Sequence, residues 1–415
     1  MAHNSNTTMF QSLKIYFKNQ QLKGKLKQSK TAFSVVLPDV QKEASVLIVD
    51  DKLPEYDKDS GSRRLNLIID ILLEQGIQVY LMADKKEYKY DTSYCAYYQN
   101  KGVQVYFPSI EAEGNLVTRE GFMERIVPQV SAVWLHRPLV FAKYIALVRS
   151  LNPNAKALYD MVDFHYLRMK REAELKSNDS KLLTEAERFL KIEQANCEAA
   201  DTILVISSLD KQNLMPYYAQ TQKMTVVGNI HDFITDTTGQ LSFTDRRDLL
   251  FVGSFEHVPN IDAVQYLRKH IMPLVWERLP EVKVTVIGSN PKPEVLALHD
   301  KRFEILGYVN DLSEAFCTHR LFIAPLRYGA GIKGKIGQSL EFGLPLVTTP
   351  IGAEGFDFGK VADAMIADSP SEFAEKIIAA YTDVTLWEAI REQSEPTLQP
   401  FSRKVLTDNI VKTVR

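Results

Sequence analysis

The chain has 415 residues, of which 45% are hydrophobic and 25% are charged, and its formal net charge is −2. This composition is typical of a soluble globular protein of two or three domains. The near-zero charge argues against nucleic-acid binding, which needs a strongly basic face. The three cysteines are far apart without metal-like spacing, and no run approaches the ~20 apolar residues of a membrane-spanning helix. We therefore expect a cytoplasmic protein.

The first segment of the chain, residues 1–43, is a basic leader. Its first 38 residues contain no acid, and the six lysines among them alternate with apolar side chains. Residues 10–30 therefore fit a basic amphipathic helix on an anionic membrane surface, which would make the protein peripheral on the inner face of the cell membrane. A disordered leader fits the same pattern.

Residues 44–235 alternate short apolar runs with helical stretches. Strands are predicted at 46–49, 77–81, 103–106, 132–135, 157–160 and 202–206. This alternation is typical of a parallel, doubly wound sheet. Asp50 and Asp51 follow the first strand, as magnesium-binding acids do in receiver domains. The sequence lacks the third carboxylate that such a site needs at a later strand, so we expect no metal.

Two groups of residues in this first half are candidate site residues. Ser60, Gly61 and Arg63 open a helix, where small residues let a ligand approach the backbone amides. A simple helix cap by a serine is the alternative. Asp163 and His165 follow a strand at alternate positions, so they face the same side if the strand geometry continues. They suit proton transfer or hydrogen bonding to sugar hydroxyls, and a capping Asp with a core His is the other interpretation.

A polar linker at 236–248 precedes a second α/β half, residues 249–395. Strands running into glycine are predicted at 249–253, 282–288 and 303–307, and another strand at 321–325. The predicted architecture is two Rossmann-like, doubly wound domains that face a cleft. Ligands in such sheets bind beyond the carboxyl ends of the strands.

The most informative segment is the glycine-rich loop that leads into a helix at Gly334. Unpaired amides and the positive end of the helix dipole meet there, and Arg327, Lys333 and Lys335 add cations. This chemistry suits a diphosphate. The turn at Gly253–Ser254, followed by a polar helix start at His257–Asn260, predicts a second anion-accepting point.

These motifs resemble the GT-B nucleotide-sugar-dependent glycosyltransferases of the bacterial group-one, family 4-like class. The resemblance covers Ala44 to Val414 and is strongest from Leu249 to Gly355. The segments that carry it are Leu250–Phe255 with His257, Pro259, Asn260 and Asp262, the loop Pro325–Lys335, Gly343–Pro345, and Gly352–Gly355.

The resemblance implies transfer of a hexosyl or deoxyhexosyl group from a nucleotide diphosphate to a glycan or glycolipid acceptor, with retention of configuration, in lipopolysaccharide or capsule synthesis. It implies no cofactor and no metal. Residues 396–415 would form a helix that crosses back to the first domain. Asp163 and His165 would occupy the catalytic position beside the donor sugar, and Ser60, Gly61 and Arg63 the acceptor or phosphate loop. The implied donor-binding residues are Gly253, Ser254, His257, Asn260, Arg327, Gly331, Lys333, Lys335 and Glu354.

Two departures from the family pattern keep alternatives open. The two family glutamates correspond to Ala330 and Gln338, and the basic residues that commonly follow the first glycine turn are replaced by Phe255, Glu256 and His257. A nucleotide-sugar epimerase of the same fold and a non-catalytic nucleotide-sugar-binding subunit therefore remain alternatives to a transferase.

Overall fold

The computed structural model describes residues 4–28, 44–85, 92–110, 114–235, 241–329 and 331–415, with only the backbone at 4–12, 15 and 28. Residues 29–43 of the leader, residues 236–240 of the predicted linker and Ala330 lie outside these residues. Within the leader, the described backbone is a helix, α1, at Asn4–Gln28.

The N-terminal domain is built on a seven-stranded parallel sheet of order β3-β2-β1-β6-β7-β8-β9, with a small hairpin of β4 and β5 beside it. The strands are β1 Ser45–Asp50, β2 Gln78–Ala83, β3 Gln104–Val105, β4 Ser109–Ile110, β5 Leu116–Val117, β6 Ala132–His136, β7 Lys156–Asp160, β8 Thr202–Val205 and β9 Met224–Val226. The helices are α2 Ser60–Glu74, α3 Ser93–Asn100, α4 Arg119–Ile126, α5 Pro138–Leu151, α6 His165–Leu175, α7 Ser180–Ala199 and α8 Ser208–Leu214.

Strand β1 lies at the centre because its apolar run can be buried on both faces. Val46, Leu47, Ile48 and Val49 are fully buried, and Val46 pairs with Val79 of β2 on one side and with Ala132 of β6 on the other. A parallel strand covered by helices on both faces needs such a continuous apolar run. The carboxyl end of β1 therefore opens at the point where strand order reverses, as ligand sites in open α/β sheets do.

The C-terminal domain has a five-stranded parallel sheet of order β12-β11-β10-β13-β14. The strands are β10 Arg247–Val252, β11 Val284–Ile287, β12 Phe303–Gly307, β13 His319–Ala324 and β14 Leu346–Thr348. The helices are α9 Val258–Tyr266, α10 Met272–Arg278, α11 Pro293–Leu296, α12 Ser313–Thr318, α13 Gly334–Glu341, α14 Pro350–Ala353, α15 Ala362–Met365, α16 Pro370–Thr382, α17 Val384–Glu392, α18 Ser394–Leu398 and α19 Arg403–Val414.

In this second domain β10 has β11 on one side and β13 on the other, so its carboxyl end at Gly253 lies at the second switch point. The chain then returns through α19. Leu406, Ile410 and Val414 join the core that contains the apolar face of α2, and the Arg403 guanidinium lies 2.7 Å from the Glu74 carboxylate. The prediction of two doubly wound domains facing a cleft is confirmed.

Two interpretations that the sequence left open, a strand continuing past Asp160 and a serine cap on α2, do not hold. Strand β7 ends at Asp160 and α6 begins at His165, so strand alternation does not bring Asp163 and His165 together. The N-cap of α2 is Asp59 rather than a serine, and its carboxylate accepts a hydrogen bond from the Ser62 amide at 2.7 Å. Aspartate is as good an N-cap as serine, so residue type alone could not show whether Asp59 or a serine caps α2.

Candidate functional site

The carboxyl ends of the strands in both domains open onto one interdomain cleft. A cavity of about 470 Å³ lies in it, lined by Lys52, Glu55, Lys58, Asp59, Lys85 and Thr92 of the first domain and by Ser254, Glu256, Ser289, Asn290 and Tyr308 of the second. The Tyr308 hydroxyl donates a hydrogen bond of 2.5 Å to Asp57 across the cleft. The lining is rich in hydrogen-bonding groups and charges, which suits a polar ligand.

A polar chain joins the glycine turn after β10 to the start of α13. The Lys335 ammonium donates to the Asn260 Oδ1 at 2.5 Å, and the Asn260 Nδ2 donates to the Ser254 carbonyl at 2.6 Å. The Ser254 and Ser289 hydroxyls lie 3.1 Å apart. Gly253 is needed here because a Cβ on it would lie 2.5 Å from the Lys335 Nζ and 2.8 Å from the Asn260 Nδ2.

Lys335 has an unusually low pKa for a lysine. Burial and the neighbouring Lys333 charge lower the pKa of Lys335 to about 7, and its Nζ lies 4.3 Å from the centroid of the Phe251 ring. An anion bound beside it would favour the charged form and raise that pKa. Lys335 is therefore poised to take up a proton when a phosphate binds.

The N-termini of α2 and α13 meet across the cleft. A Cβ on Gly334 would lie 2.4 Å from the Ser60 Cβ, so the first residues of the two helices touch. Among the described residues no side chain caps α13, whereas Asp59 caps α2 and lies 3.0 Å from the Lys52 ammonium. The helix end available to an anion is therefore that of α13 rather than that of the predicted Ser60–Gly61 loop.

Lys333 has different partners from Lys335. Its ammonium donates to the Gly331 carbonyl and lies 3.4 Å from the Glu354 Oε2. Burial lowers the pKa of Lys333, and the charges of Glu354 and Asp210 oppose that effect. Arg171 of the first domain also reaches Glu354, at 2.7 Å. Lys333 therefore belongs to an ion cluster with Glu354 and Arg171, while Lys335 lies at the glycine turn.

Asp163 and His165 do come together, through the turn between β7 and α6. The His165 Nδ1 lies 2.6 Å from the Asp163 Oδ1, and Arg168 donates to the other carboxylate oxygen at 2.7 Å. Val162, just before them, has a φ of +63°, which is rare and strained for a β-branched residue. The imidazole stacks on Phe189 with ring centroids 5.4 Å apart.

Glu193, in α7, holds the start of α6. Its carboxylate is fully buried and accepts hydrogen bonds from the backbone amides of His165 at 3.0 Å and Tyr166 at 3.1 Å. An acid at this point satisfies helix amides that would otherwise lack partners. Its position 28 residues beyond His165 gives no sequence signal for this role.

The electrostatics fix the charge states of this pair. Burial opposes the charging of both groups, but His165 and Arg168 outweigh it and hold the pKa of Asp163 well below its usual range. Burial is likewise outweighed at His165, where the charge and hydrogen bond of Asp163 and the nearby Glu193 raise the pKa to about 9. Near pH 7 the site therefore contains an imidazolium and an ion-paired carboxylate, neither of which is a free base.

Arg63, predicted as a residue of the acceptor or phosphate loop, forms an ion pair in this structure. Its guanidinium donates to both oxygens of Glu341, at 2.9 and 3.0 Å, across the domain boundary. The His231 Nδ1 lies 2.7 Å from the same carboxylate. Sequence reasoning missed Glu341, Glu193 and Arg171, because each acts through a partner distant in sequence.

The other predicted donor residues lie around the same cleft with varied surroundings. His257 is the exposed N-cap of α9, and Arg327 pairs with Asp262, its guanidinium lying 4.7 Å from the Tyr266 ring centroid. Gly331 has a φ of +69° and faces Asp163 and Asp210 of the first domain. Gly61 has no close contact that requires glycine, since a Cβ there would lie 3.4 Å from the Asp59 carboxylate.

No group of three or more His, Cys, Asp or Glu side chains suited to a metal occurs in the part of the chain that the structure describes.

Sequence comparison finds relatives of the second domain. Residues 246–383 match the family described as "Glycosyl transferases group 1". A Klebsiella pneumoniae protein named "Uncharacterized 44.6 kDa protein in cps region" is 25% identical over 140 residues, which cover 32% of this chain. The match spans 36% of that relative's length.

Solved structures similar to this chain cover both domains. Anabaena Alr3699/HepE in complex with UDP and glucose is 12% identical, with a TM-score of 0.64 over 89% of this chain and 99% of that one. The pneumococcal O-GlcNAc transferase GtfA in complex with UDP and GlcNAc is 12% identical, with a TM-score of 0.63 over 89% and 98%. A glycosyltransferase from Rickettsia africae is 14% identical, with a TM-score of 0.57 over 89% and 97%. At these identities the likeness shows the fold. The chain thus has the GT-B fold, and residues 246–383 of its C-terminal domain are similar to the group 1 glycosyl transferases.

Proposed function

We propose that this protein is a glycosyltransferase that moves a hexosyl or deoxyhexosyl group from a nucleotide diphosphate to a glycan or glycolipid acceptor in bacterial cell-surface polysaccharide synthesis. The donor diphosphate lies between the glycine turn after β10 and the start of α13. Its negative charge is neutralised by Lys335 and the amides of α13, without a metal ion.

The observation that carries this proposal is the arrangement of Lys335, Asn260 and Gly253. Lys335 lies directly over a glycine whose missing side chain leaves the backbone open, at a helix end that no described side chain caps. These groups belong to the part of the chain that matches the group 1 family. UDP in the similar structures of Anabaena HepE and pneumococcal GtfA supports a nucleotide ligand.

Transfer with retention of configuration is the outcome we propose. An inverting enzyme needs a general base for the acceptor hydroxyl. His165 is protonated near pH 7, and both Asp163 oxygens lie against cationic partners. Their charges favour hydrogen bonding to the donor sugar over removal of a proton.

A capsule-type polysaccharide is the product that the relative's name supports, since that protein is named for its place in a cps region. Transfer at the inner face of the cell membrane fits such a product. Among the described residues no helix is long and apolar enough to cross a bilayer.

Surface attachment through α1 is the mode of membrane contact that we propose. Leu13, Tyr16 and Phe17 are 45%, 57% and 64% exposed, at spacings that put them on one face of the helix. Leu22 and Leu26 on another face are partly buried, and the lysines of α1 are Lys14, Lys18, Lys23, Lys25 and Lys27. An exposed apolar stripe among cations suits an anionic bilayer.

The test of the function is incubation with radiolabelled nucleotide sugars and a bacterial membrane lipid extract. Label that moves into lipid or polymer supports the transferase. An altered nucleotide-linked or free sugar would instead identify an epimerase, and tight nucleotide-sugar binding without turnover would identify a binding subunit. Lys335→Met is the matched variant, because transfer that depends on this site must fall when its ammonium is removed.

A further inference from the structure

Helix α6 carries two arginines that bind carboxylates in different domains. Arg168 and Arg171 are three residues apart, so their side chains leave the helix near the same face. Arg168 binds Asp163 within its own domain, whereas Arg171 reaches the other domain. One helix thus contacts both the Asp163–His165 pair and the donor loop.

Arg171 makes three close contacts with the second domain. Its Nη1 donates to the Gly329 carbonyl at 2.7 Å and to the Glu354 Oε2 at 3.0 Å, and its Nη2 lies 2.7 Å from the Glu354 Oε1. Both terminal nitrogens of the guanidinium therefore contact the carboxylate, and Nη1 also donates to the loop backbone. The side chains of Arg171 and Glu354 are 22% and 12% exposed, so water screens this pair weakly.

The two acceptors of Arg171 lie on separate segments. One is in the glycine-rich loop and the other lies beside it. Gly329 follows β13 and Glu354 follows α14. Gly329 and Gly331 have φ values of +148° and +69°, which leave the loop many backbone alternatives once it is not held. Lys333, at the end of the same loop, contacts Glu354 as well. The position of the loop before α13 is therefore set from the first domain.

We propose that Arg171 is a positioning residue for the donor site, which ties Gly329 and Glu354 to the first domain and so places the N-terminus of α13. This role rests on the proposed function. Arg171 itself does not touch the diphosphate. It couples the geometry of donor binding to the approach of the two domains, because its acceptors and its helix belong to different domains.

Substitution of the arginine separates this role from simple packing. Arg171→Met keeps an apolar stem and removes all three contacts, while Arg171→Lys keeps the charge but cannot reproduce the fork. Arg188→Met is the control, because Arg188 pairs with Glu185 on the surface of α7 in the same domain and is half exposed.

The first measurement is calorimetric affinity for UDP, and for GDP, ADP and dTDP in turn, followed by donor KM, acceptor KM and kcat. We expect Arg171→Met to weaken nucleoside diphosphate binding and raise donor KM about tenfold or more, as loss of charge-assisted hydrogen bonds would. Acceptor KM should change less than twofold, Arg171→Lys should be intermediate, and Arg188→Met should match the unsubstituted protein. In Arg171→Met, Glu354→Gln should add little, because both substitutions break the same Arg171–Glu354 ion pair. Nucleotide affinity of Arg171→Met within twofold of the unsubstituted protein, or additive effects of the two changes, would overturn the proposal.

Hydrogen exchange of the protein without nucleotide gives a readout independent of catalysis. Amides of residues 331–336 should exchange at least tenfold faster in Arg171→Met, with those of β1 unchanged. If the unsubstituted protein neither binds a nucleotide nor transfers sugar, the proposed function fails while this measurement still tests the positioning. Equal exchange of the loop in both proteins would refute the positioning even if sugar transfer is found.

Discussion

Arg63 of the first domain and Glu341 of the second form a two-pronged ion pair across the cleft, with both Glu341 oxygens within 3.0 Å of one guanidinium nitrogen. The Glu341 side chain is only 3% exposed, and His231 from the interdomain segment lies against the same carboxylate. The pair joins α2, which begins at the cleft, to the last turn of α13, which begins at the donor loop. It therefore holds the two domains in their facing arrangement.

Removal of one member of this pair should destabilise the protein. We expect Arg63→Met to lower the free energy of unfolding by about 1–3 kcal/mol, because a buried carboxylate loses its charged donor. The loss of stability is limited because the Arg63 side chain is partly exposed and solvent screens its charge. Denaturant unfolding of Arg63→Met, Glu341→Gln and the double variant measures the coupling between them. Strictly additive losses would show that the pair contributes no interaction energy.

Gly253→Ala should weaken donor binding strongly, while Gly61→Ala should not. An alanine Cβ at 253 would lie within 3 Å of both the Lys335 ammonium and the buried Asn260 amide, so the polar chain at the turn must shift. We expect nucleoside diphosphate affinity to fall about 100-fold, equivalent to about 2.7 kcal/mol. At Gly61 the new Cβ would only reach ordinary contact with Asp59. Calorimetry measures the nucleoside diphosphate affinity of both variants. Equal affinities of Gly253→Ala and Gly61→Ala would show that the Gly253 turn does not belong to the binding site.

Binding of a nucleoside diphosphate should be accompanied by proton uptake at Lys335. The pKa of Lys335 is about 7 in the free protein, and a phosphate beside the ammonium raises it, so uptake should be greatest at pH 7.5–8.5. Calorimetric titrations with a nucleoside diphosphate, in buffers of different ionisation enthalpy, measure the number of protons taken up on binding. Lys335→Met is the control for protons exchanged by the nucleotide itself. The same proton count in both proteins would contradict the prediction.

The charge of His165 should make a pH-dependent contribution to stability. Its folded-state pKa is raised to about 9 from an ordinary value near 6.5, so the contribution is complete below about pH 6.5 and is lost as pH rises through 9. The destabilisation caused by His165→Gln should therefore shrink by about 2–3 kcal/mol between pH 6 and pH 10. Unfolding curves across that range test it, with the exposed His270→Gln as control. A pH-independent difference for His165→Gln would mean that the imidazole is neutral.

Attachment to anionic membranes should depend on the exposed stripe of α1. Leu13→Ser with Phe17→Ser removes two of its three exposed apolar side chains while leaving every lysine in place. We expect co-sedimentation with phosphatidylglycerol vesicles to fall at least fivefold, because buried apolar area and charge act together in such helices. Leu22→Ser is the matched control on a partly buried face. Equal sedimentation of the double variant and the unsubstituted protein would eliminate the proposed contact.

Local pattern in the sequence was enough for the two-domain architecture and for the glycine-rich segment that leads into α13. Apolar runs that end in glycine, repeated at helix-length intervals, allow few folds other than paired parallel sheets. The family resemblance rested on contiguous residues such as Gly253–Ser254 and Gly329–Lys335. These signals are short-range, since a turn or helix start is defined by its neighbours in the chain.

Tertiary structure alone decided which charges act together. Lys333 and Lys335 are two residues apart, yet one binds beside Glu354 and the other over Gly253. Arg63, a predicted ligand residue, is engaged by Glu341, 278 positions away. Asp163 and His165 share a role because Glu193 and the Val162 turn place them, not because a strand continues. The physical reason is that a side chain's charge and hydrogen bonds depend on partners across the fold, and a single sequence carries no record of those long-range distances.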